Sequence, residues 1–141
     1  MDIILHIAEK KLDECYDAAI SEYFKRTSAF ANIKKKLYKD ISKLQLEKSS
    51  YIFVLDYGCN TLTSTELAKK ISGINLAGFS CIEFIITSDS SIVKDNLNCQ
   101  SIKYDILTLS TMKLNNNTAS VCLAEQIYRA YTINNNISYH K

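Results

Sequence analysis

Proline is absent from this 141-residue chain, and glycine occurs only at positions 58, 73 and 78. With so few residues suited to sharp reversals, turns fall to Asn, Asp and Ser, which tolerate left-handed backbone or bond their own main chain. Two Asn triplets, at 115–117 and 134–136, suit turns and helix caps for that reason. No apolar stretch approaches the ~20 residues needed to cross a bilayer, so no membrane partner is expected. The short apolar start at 1–8 runs at once into Glu9, Lys10, Lys11 and Asp13, unlike a signal peptide. A cytoplasmic location is the expectation.

Several chemical signatures are also missing. There is no Walker-A run, no G-x-G-x-x-G and no G-x-S-x-G, which removes the usual phosphate-cradling and serine-hydrolase patterns. Cysteines stand at 15, 59, 81, 99 and 122, an odd number with no C-x-x-C pair. Most lie in apolar surroundings, where a thiol packs as a small hydrophobe. Only His6 and His140 accompany them, so no metal site is expected. A net charge of +2 is too mild to mark nucleic-acid binding. Its distribution says more: Lys10-Lys11, Lys25-Arg26, Lys34-Lys35-Lys36, Lys39, Lys43 and Lys48 gather positive charge in the first third. A solvated helix face is the plainer reading of that run.

What is present fits one α/β domain spanning 1–141, since a single core is usual up to roughly 150–200 residues. Residues 2–8 (DIILHIA) read as a buried strand. From Lys11, the set Leu12, Cys15, Tyr16, Ala19, Ile20, Tyr23 and Phe24 recurs at helical spacing. Ile33, Leu37, Ile41 and Leu44 continue a helical period, although residues 33–38 also fit a strand. Residues 51–57 (YIFVLDY) read as a strand ended by Gly58. Thr63 or Ser64 caps a helix through Glu66, Leu67, Ala68 and Ile71, with Gly73 as its stop. Residues 81–86 (CIEFII) form another strand, followed by a polar loop at 87–91 and a helix from near Ile92 capped by Ser90 or Ser91. Residues 105–109 read as the last strand and 119–131 as the last helix, buried through Val121, Leu123, Ala124, Ile127, Tyr128 and Tyr131.

Strands alternating with helices imply a parallel sheet with helices on both faces. Ligands in such folds bind beyond the carboxyl ends of the strands, here 55–58, 87–91 and 109–114. Pattern alone stops at an α/β domain with a small-molecule cleft.

The C-terminus goes further. Glu125-Gln126-Ile127-Tyr128-Arg129-Ala130, then Ile133-Asn134, then Tyr139-His140-Lys141 resembles the terminal signature of the RlmH family. These are SPOUT-class methyltransferases acting at N3 of pseudouridine in large-subunit (23S) ribosomal RNA. Glu22-Tyr23-Phe24-Lys25-Arg26 is similar to the family's EY-x-KR, and Val54-Leu55-Asp56 with Leu62-Thr63-Ser64 and Leu67-Ala68 matches its central strand, loop and helix. Leu107-Thr108-Leu109-Ser110-Thr111-Met112 resembles its LSFSKM segment. Between Ile33 and Lys48 this chain is shorter than its relatives.

The resemblance implies a parallel sheet whose C-terminal part is tied in a trefoil knot, a rare exception to unknotted topology. It also implies a homodimer in which one subunit's tail helps complete the other's site. The implied cofactor is S-adenosylmethionine, held by Leu55, Thr87, Leu109, Ser110, Thr111, Met112, Lys113 and Leu114. The implied macromolecular partner is ribosomal RNA in the large subunit or assembled ribosome. Imide N3 attacks only once deprotonated, and His140 would act as base or as a cation favouring the anion. Arg129 and Lys141 would hold phosphate or developing charge, and Tyr139 would stack on an exposed base. Each has a plainer reading: a terminal His is commonly just exposed, and Arg129 can pair with Glu125 one helical turn earlier.

The chain departs from the family pattern where relatives carry a glycine-rich IGG-x-x-G loop. Here the stretch is Ile86-Thr87-Ser88-Asp89-Ser90-Ser91. Thr87 and Ser88 side chains would project into or beside the space for the donor's amino-acid portion, whereas glycine lets backbone approach closely. Asn115, Asn116 and Ser120 replace a usual Pro-His pair and Arg, and Asn136 replaces a glycine. Two readings follow: a methyltransferase with a rebuilt donor loop, or a degenerate relative that binds RNA or a protein partner without methyl transfer.

Overall fold

Strand and helix alternate through the described residues, 1–58 and 60–139 of a computed structural model. The elements are β1 (Asp2–Ile7), α1 (Glu14–Thr27), β2 (Asn32–Leu37), a 3-10 turn (Ile41–Lys43), β3 (Tyr51–Asp56), α2 (Ser64–Leu76), β4 (Cys81–Ile86), α3 (Ser90–Cys99), β5 (Asp105–Thr108) and α4 (Asn116–Asn134). Among the described residues the strands make one sheet, ordered β2-β1-β4-β3-β5, with every pairing parallel. The expected α/β class is what forms.

Period-two alternation sends side chains of β3 and β4 to two different cores. Ile3, Leu5, Ile7, Phe53, Leu55, Ile82, Phe84 and Ile86 pack with Ile20 of α1, Leu67 and Ile71 of α2, and Leu123 and Ile127 of α4. The opposite face presents Ile52, Val54 and Ile85 to Val93 and Leu97 of α3 and to Ile41, Leu44 and Leu46 of the β2–β3 connection. A parallel strand covered on both faces reads as a continuous apolar run; β4 is buried at all six positions. Its exception is Glu83, and it is fully partnered: His6 Nε2 at 2.5 Å, the Ser50 hydroxyl at 2.5 Å and the Glu47 N–H at 2.7 Å.

Several boundaries differ from the sequence expectation. Residues 33–38 take the strand alternative, because β2 pairs with β1 along its length, from Asp2↔Asn32 to Ile7↔Leu37. This edge strand carries Lys34, Lys35 and Lys36, a charge pattern that discourages pairing with another chain. Helix α1 starts at Glu14 rather than Lys11, leaving Leu12 buried ahead of it and Cys15 exposed. Gly73 does not stop α2, which runs to Leu76; the reversal comes at Gly78, with φ +91°. The start of α2 is as expected, with a reciprocal capping box: Thr63 Oγ1 accepts the Glu66 N–H at 3.2 Å, and Glu66 accepts the Thr63 N–H at 2.7 Å. Helix α3 begins at Ser90 and is capped by Asp89, not by Ser90 or Ser91. Helix α4 is longer than expected at both ends: it runs on to Asn134, and it starts early because Asn115 caps it by accepting the Thr118 N–H at 2.8 Å.

The topology places the site. Helix α2 leaves the end of β3 toward one face, and α3 leaves the end of the adjacent β4 toward the other. Neighbouring strands whose exits diverge leave a crevice between them.

Candidate functional site

That crevice is a cleft of about 760 Å³ at the carboxyl ends of β3, β4 and β5, within the size range of small-molecule sites. Three segments line it: 55–57 after β3, 86–91 after β4, and 109–114 after β5, with Asn116 and Ala119 from the first turn of α4. Of the residues expected at the donor, Leu55, Thr87, Leu109, Ser110, Met112, Lys113 and Leu114 line this cleft. Thr111 does not; it is exposed. The Ser110 hydroxyl accepts the Met112 N–H at 3.0 Å, bending the segment so that Met112 stands 74% exposed at the rim.

The glycine-free loop lines the cleft without filling it. No residue from 87 to 91 has positive φ, so this path needs no glycine for its backbone. Thr87 Oγ1 turns to the loop's own main chain, 3.3 Å from the Asp89 carbonyl and 3.4 Å from its N–H. Asp89 Oδ1 accepts from the Ser91 N–H at 3.0 Å and hydroxyl at 2.6 Å. Those two bonds hold the Asp89 carboxyl below its ordinary range. Asp89 is thus engaged as a cap.

Deeper in the cleft lies a polar cluster that sequence reasoning missed. Asp56, the last residue of β3, accepts from Lys94 of α3 and from the Ser90 hydroxyl at 3.1 Å through Oδ2. Its Oδ1 accepts the Tyr57 N–H at 2.8 Å. Burial would raise this carboxyl, but bonds from Lys94, Tyr57 and Ser90 outweigh burial and hold it below the usual carboxylate range. The one available signal was an acidic residue at the carboxyl end of a strand. Its partner is 38 positions later and belongs to no local pattern.

Of the tail residues, Arg129 and Tyr139 do not line the cleft of this chain. The Arg129 Nε and Nη2 groups donate to Glu125 Oε1 at 3.0 and 2.6 Å, the pairing one turn earlier that helical spacing allowed. The Tyr139 hydroxyl donates to the same oxygen at 3.1 Å. Its ring meets Tyr128 edge-on at 4.8 Å, and the Arg129 guanidinium stands 5.1 Å from its centre. Burial, with hydrogen bonds to Tyr23 and Glu125, pushes the Tyr139 hydroxyl up to about 12. Tyr23 also contacts Tyr128, so the EY-x-KR and EQIYRA segments meet where α1 packs on α4. His140 and Lys141 lie outside the described residues, as does Cys59.

Lysines of the first third are partly engaged: Lys35 pairs with Asp17 at 3.0 Å and Lys36 with Glu47 at 4.0 Å. The lysine run at 34–36 is on a strand, not the helix face expected for it. Cys81 is buried and Cys122 half-buried, but Cys15 and Cys99 are exposed, contrary to the expectation of apolar surroundings. Among the described residues no group of three or more His, Cys, Asp or Glu is arranged to hold a metal ion, and no helix is long and apolar enough to cross a membrane.

Residues 1–140 match the family described as predicted SPOUT methyltransferase. The chain is similar, at 33% identity over the whole of both chains, to a Thermoanaerobacter protein named ribosomal RNA large subunit methyltransferase H 1. Proteins named ribosomal RNA large subunit methyltransferase H from Clostridium novyi and Dictyoglomus thermophilum are each 30% identical to it. The first is covered over 100% of both chains and the second over 99% of both.

Proposed function

The chain belongs to the SPOUT methyltransferase family, in its RlmH branch, and from that premise we propose that it methylates large-subunit ribosomal RNA at N3 of a pseudouridine, using S-adenosylmethionine. The observation that carries the proposal is the open cleft, into which seven of the eight expected donor-site residues converge. A pocket for an adenosyl group needs apolar walls and a few polar anchors. Leu55, Ile86, Leu109, Leu114 and Tyr104 supply the walls, and Lys94, Asp56 and Asn98 supply polar groups. The residues present fit the donor, and the loop at 87–91 leaves it room.

The donor supplies an electrophilic methyl group on sulfonium. The chain's share of the work is positioning, which can account for much of the rate gain of a group transfer between two bound reactants. Leu55 and the 109–114 segment would hold the adenosyl part on either side of the cleft. At the tail, Glu125 orients Arg129 and tethers Tyr139. In the proposed homodimer these groups, with His140 and Lys141 following, would reach the partner's cleft. There His140 would favour the deprotonated imide, while Arg129 and Lys141 would hold backbone phosphate. Tyr139, whose ring is covered by Tyr128 and Arg129 within its own chain, would act first as the tether and stack on a base only once the tail docks.

The proposal takes 1–141 as one methyltransferase domain working in the cytoplasm, with its C-terminal part threaded as a trefoil knot. Titration calorimetry with S-adenosylmethionine tests the reading: saturable binding at one site per chain is expected. Absence of binding to the folded dimer at millimolar donor would leave the non-catalytic RNA- or partner-binding relative as the better account.

A further inference from the structure

Lys94 is a cation aimed into the cleft and fixed there by a carboxylate. It projects from the second turn of α3, is about three-quarters covered, and bonds Asp56 at the end of β3. An ammonium has three N–H donors. Among the described residues Asp56 is the one partner observed for Lys94, whereas Asp56 itself accepts from Lys94, Ser90 and the Tyr57 N–H. The remaining Lys94 protons are therefore available to a ligand, whereas most of the roughly four acceptor sites of Asp56 are already taken.

Other groups along that wall have less to offer an anion. The Ser91 N–H at the start of α3 is taken by Asp89, and the Asp89 N–H by Thr87. Lys113, at the mouth, lies over the Tyr57 ring at 5.6 Å. Asp56, Asp89 and Asp95 make the remainder of the wall acidic. Within the cleft a negative group finds its fixed, partly buried cation at Lys94, and a cationic group finds the acidic remainder of the wall.

We propose that Lys94, positioned by Asp56, is the anion-binding residue of the cleft and takes the α-carboxylate of the methyl donor. The inference rests on the donor reading above and deepens it. A donor with a carboxylate at one end and positive charge at its amine and sulfur matches a wall where a carboxylate-fixed ammonium stands among Asp56, Asp89 and Asp95. Here a side-chain cation holds the amino-acid portion, so the approach of bare backbone that glycine permits is not required. Asp56 keeps the ammonium in place and shares its charge; it is a positioning residue, not a ligand to the donor.

The test compares S-adenosylmethionine with its decarboxylated analogue, which keeps the adenosyl group, the sulfonium and the amine. Both are titrated by calorimetry into the full-length wild-type protein and into Lys94→Met, which preserves length and removes charge. Wild type should prefer the carboxylated donor by about 10- to 100-fold, the scale of one hydrogen bond to a charged group. In Lys94→Met the two ligands should bind within about threefold of each other, with the analogue's own affinity little changed. Equal binding of both ligands to wild type overturns the proposal and needs no variant. Persistence of the preference in Lys94→Met also overturns it, and leaves the donor reading standing. Failure of wild type to bind either ligand removes the donor reading itself.

Discussion

Tyr139 and Glu125, fourteen positions apart, are joined by a hydrogen bond of 3.1 Å, and the accepting oxygen is the one that also holds Arg129. One carboxylate therefore fixes both the arginine and the last described turn of the tail. Glu125→Ala should destabilise the fold by about 1–2 kcal/mol in urea denaturation, since charged hydrogen bonds to half-buried partners are lost. It should lower methyl transfer by more than that stability loss explains, with donor affinity unchanged. Unaltered transfer would show that the tether has no part in activity.

The alkaline limb of stability has a defined origin. Burial pushes the hydroxyls of Tyr51, Tyr131 and Tyr139 up to about 12, from 10.0 in the unfolded chain, with Asp105 adding to the effect at Tyr51. Between those values the folded state keeps protons that the unfolded state releases. The contribution is whole below pH 10 and is lost as pH rises toward about 12. Urea midpoints should fall across that window, and less steeply in Tyr139→Phe. An identical slope in that variant would contradict the assignment.

On the acid side Glu83 is the residue to change. Burial would raise its carboxyl, but hydrogen bonds from His6, Ser50 and the Glu47 N–H overcome burial and lower it below its unperturbed 4.5. Its contribution is present above that value and is lost as pH falls through the lower folded value. Glu83→Ala strands His6, which is equally buried, and should cost about 3–5 kcal/mol. It should also flatten the acid limb. A loss under about 1 kcal/mol would mean that the connection at 38–50 closes without this network.

Gly73 lies within α2, and a Cβ added there meets nothing within 4 Å. Gly73→Ala should stabilise the protein by about 0.5–1 kcal/mol by lowering the entropy lost on helix formation. A lower thermal midpoint would show that the position does need glycine.

The comparison of expectation with structure follows the range of the interactions involved. β1, β3 and β4 were legible because parallel strands buried on both faces carry near-continuous apolar runs, here interrupted only by His6 and Glu83 inside them. Residues 33–44 were ambiguous because Ile33, Leu37, Ile41 and Leu44 keep helical spacing. Pairing of Asn32–Leu37 with β1 decided the outcome, and that is a tertiary fact. Gly73 misled because a glycine on an exposed helix face weakens a helix without ending it. The loops of the cleft could be placed from strand ends alone. Asp56–Lys94 could not, because the pair joins two elements and obeys no period. The pinning of Tyr139 by Glu125 likewise depends on where the chain goes after α4.

The most direct test of the account is methyl transfer itself. Ribosomes lacking the modification would be incubated with the full-length protein and S-adenosylmethionine labelled at the methyl group, and the RNA digested to nucleosides. The account predicts donor-dependent label in 3-methylpseudouridine from the large subunit, abolished in His140→Ala with donor affinity retained. Label in another nucleoside would contradict the assigned target. No label, from folded protein that binds the donor, would contradict the claim that this chain is a ribosomal RNA methyltransferase.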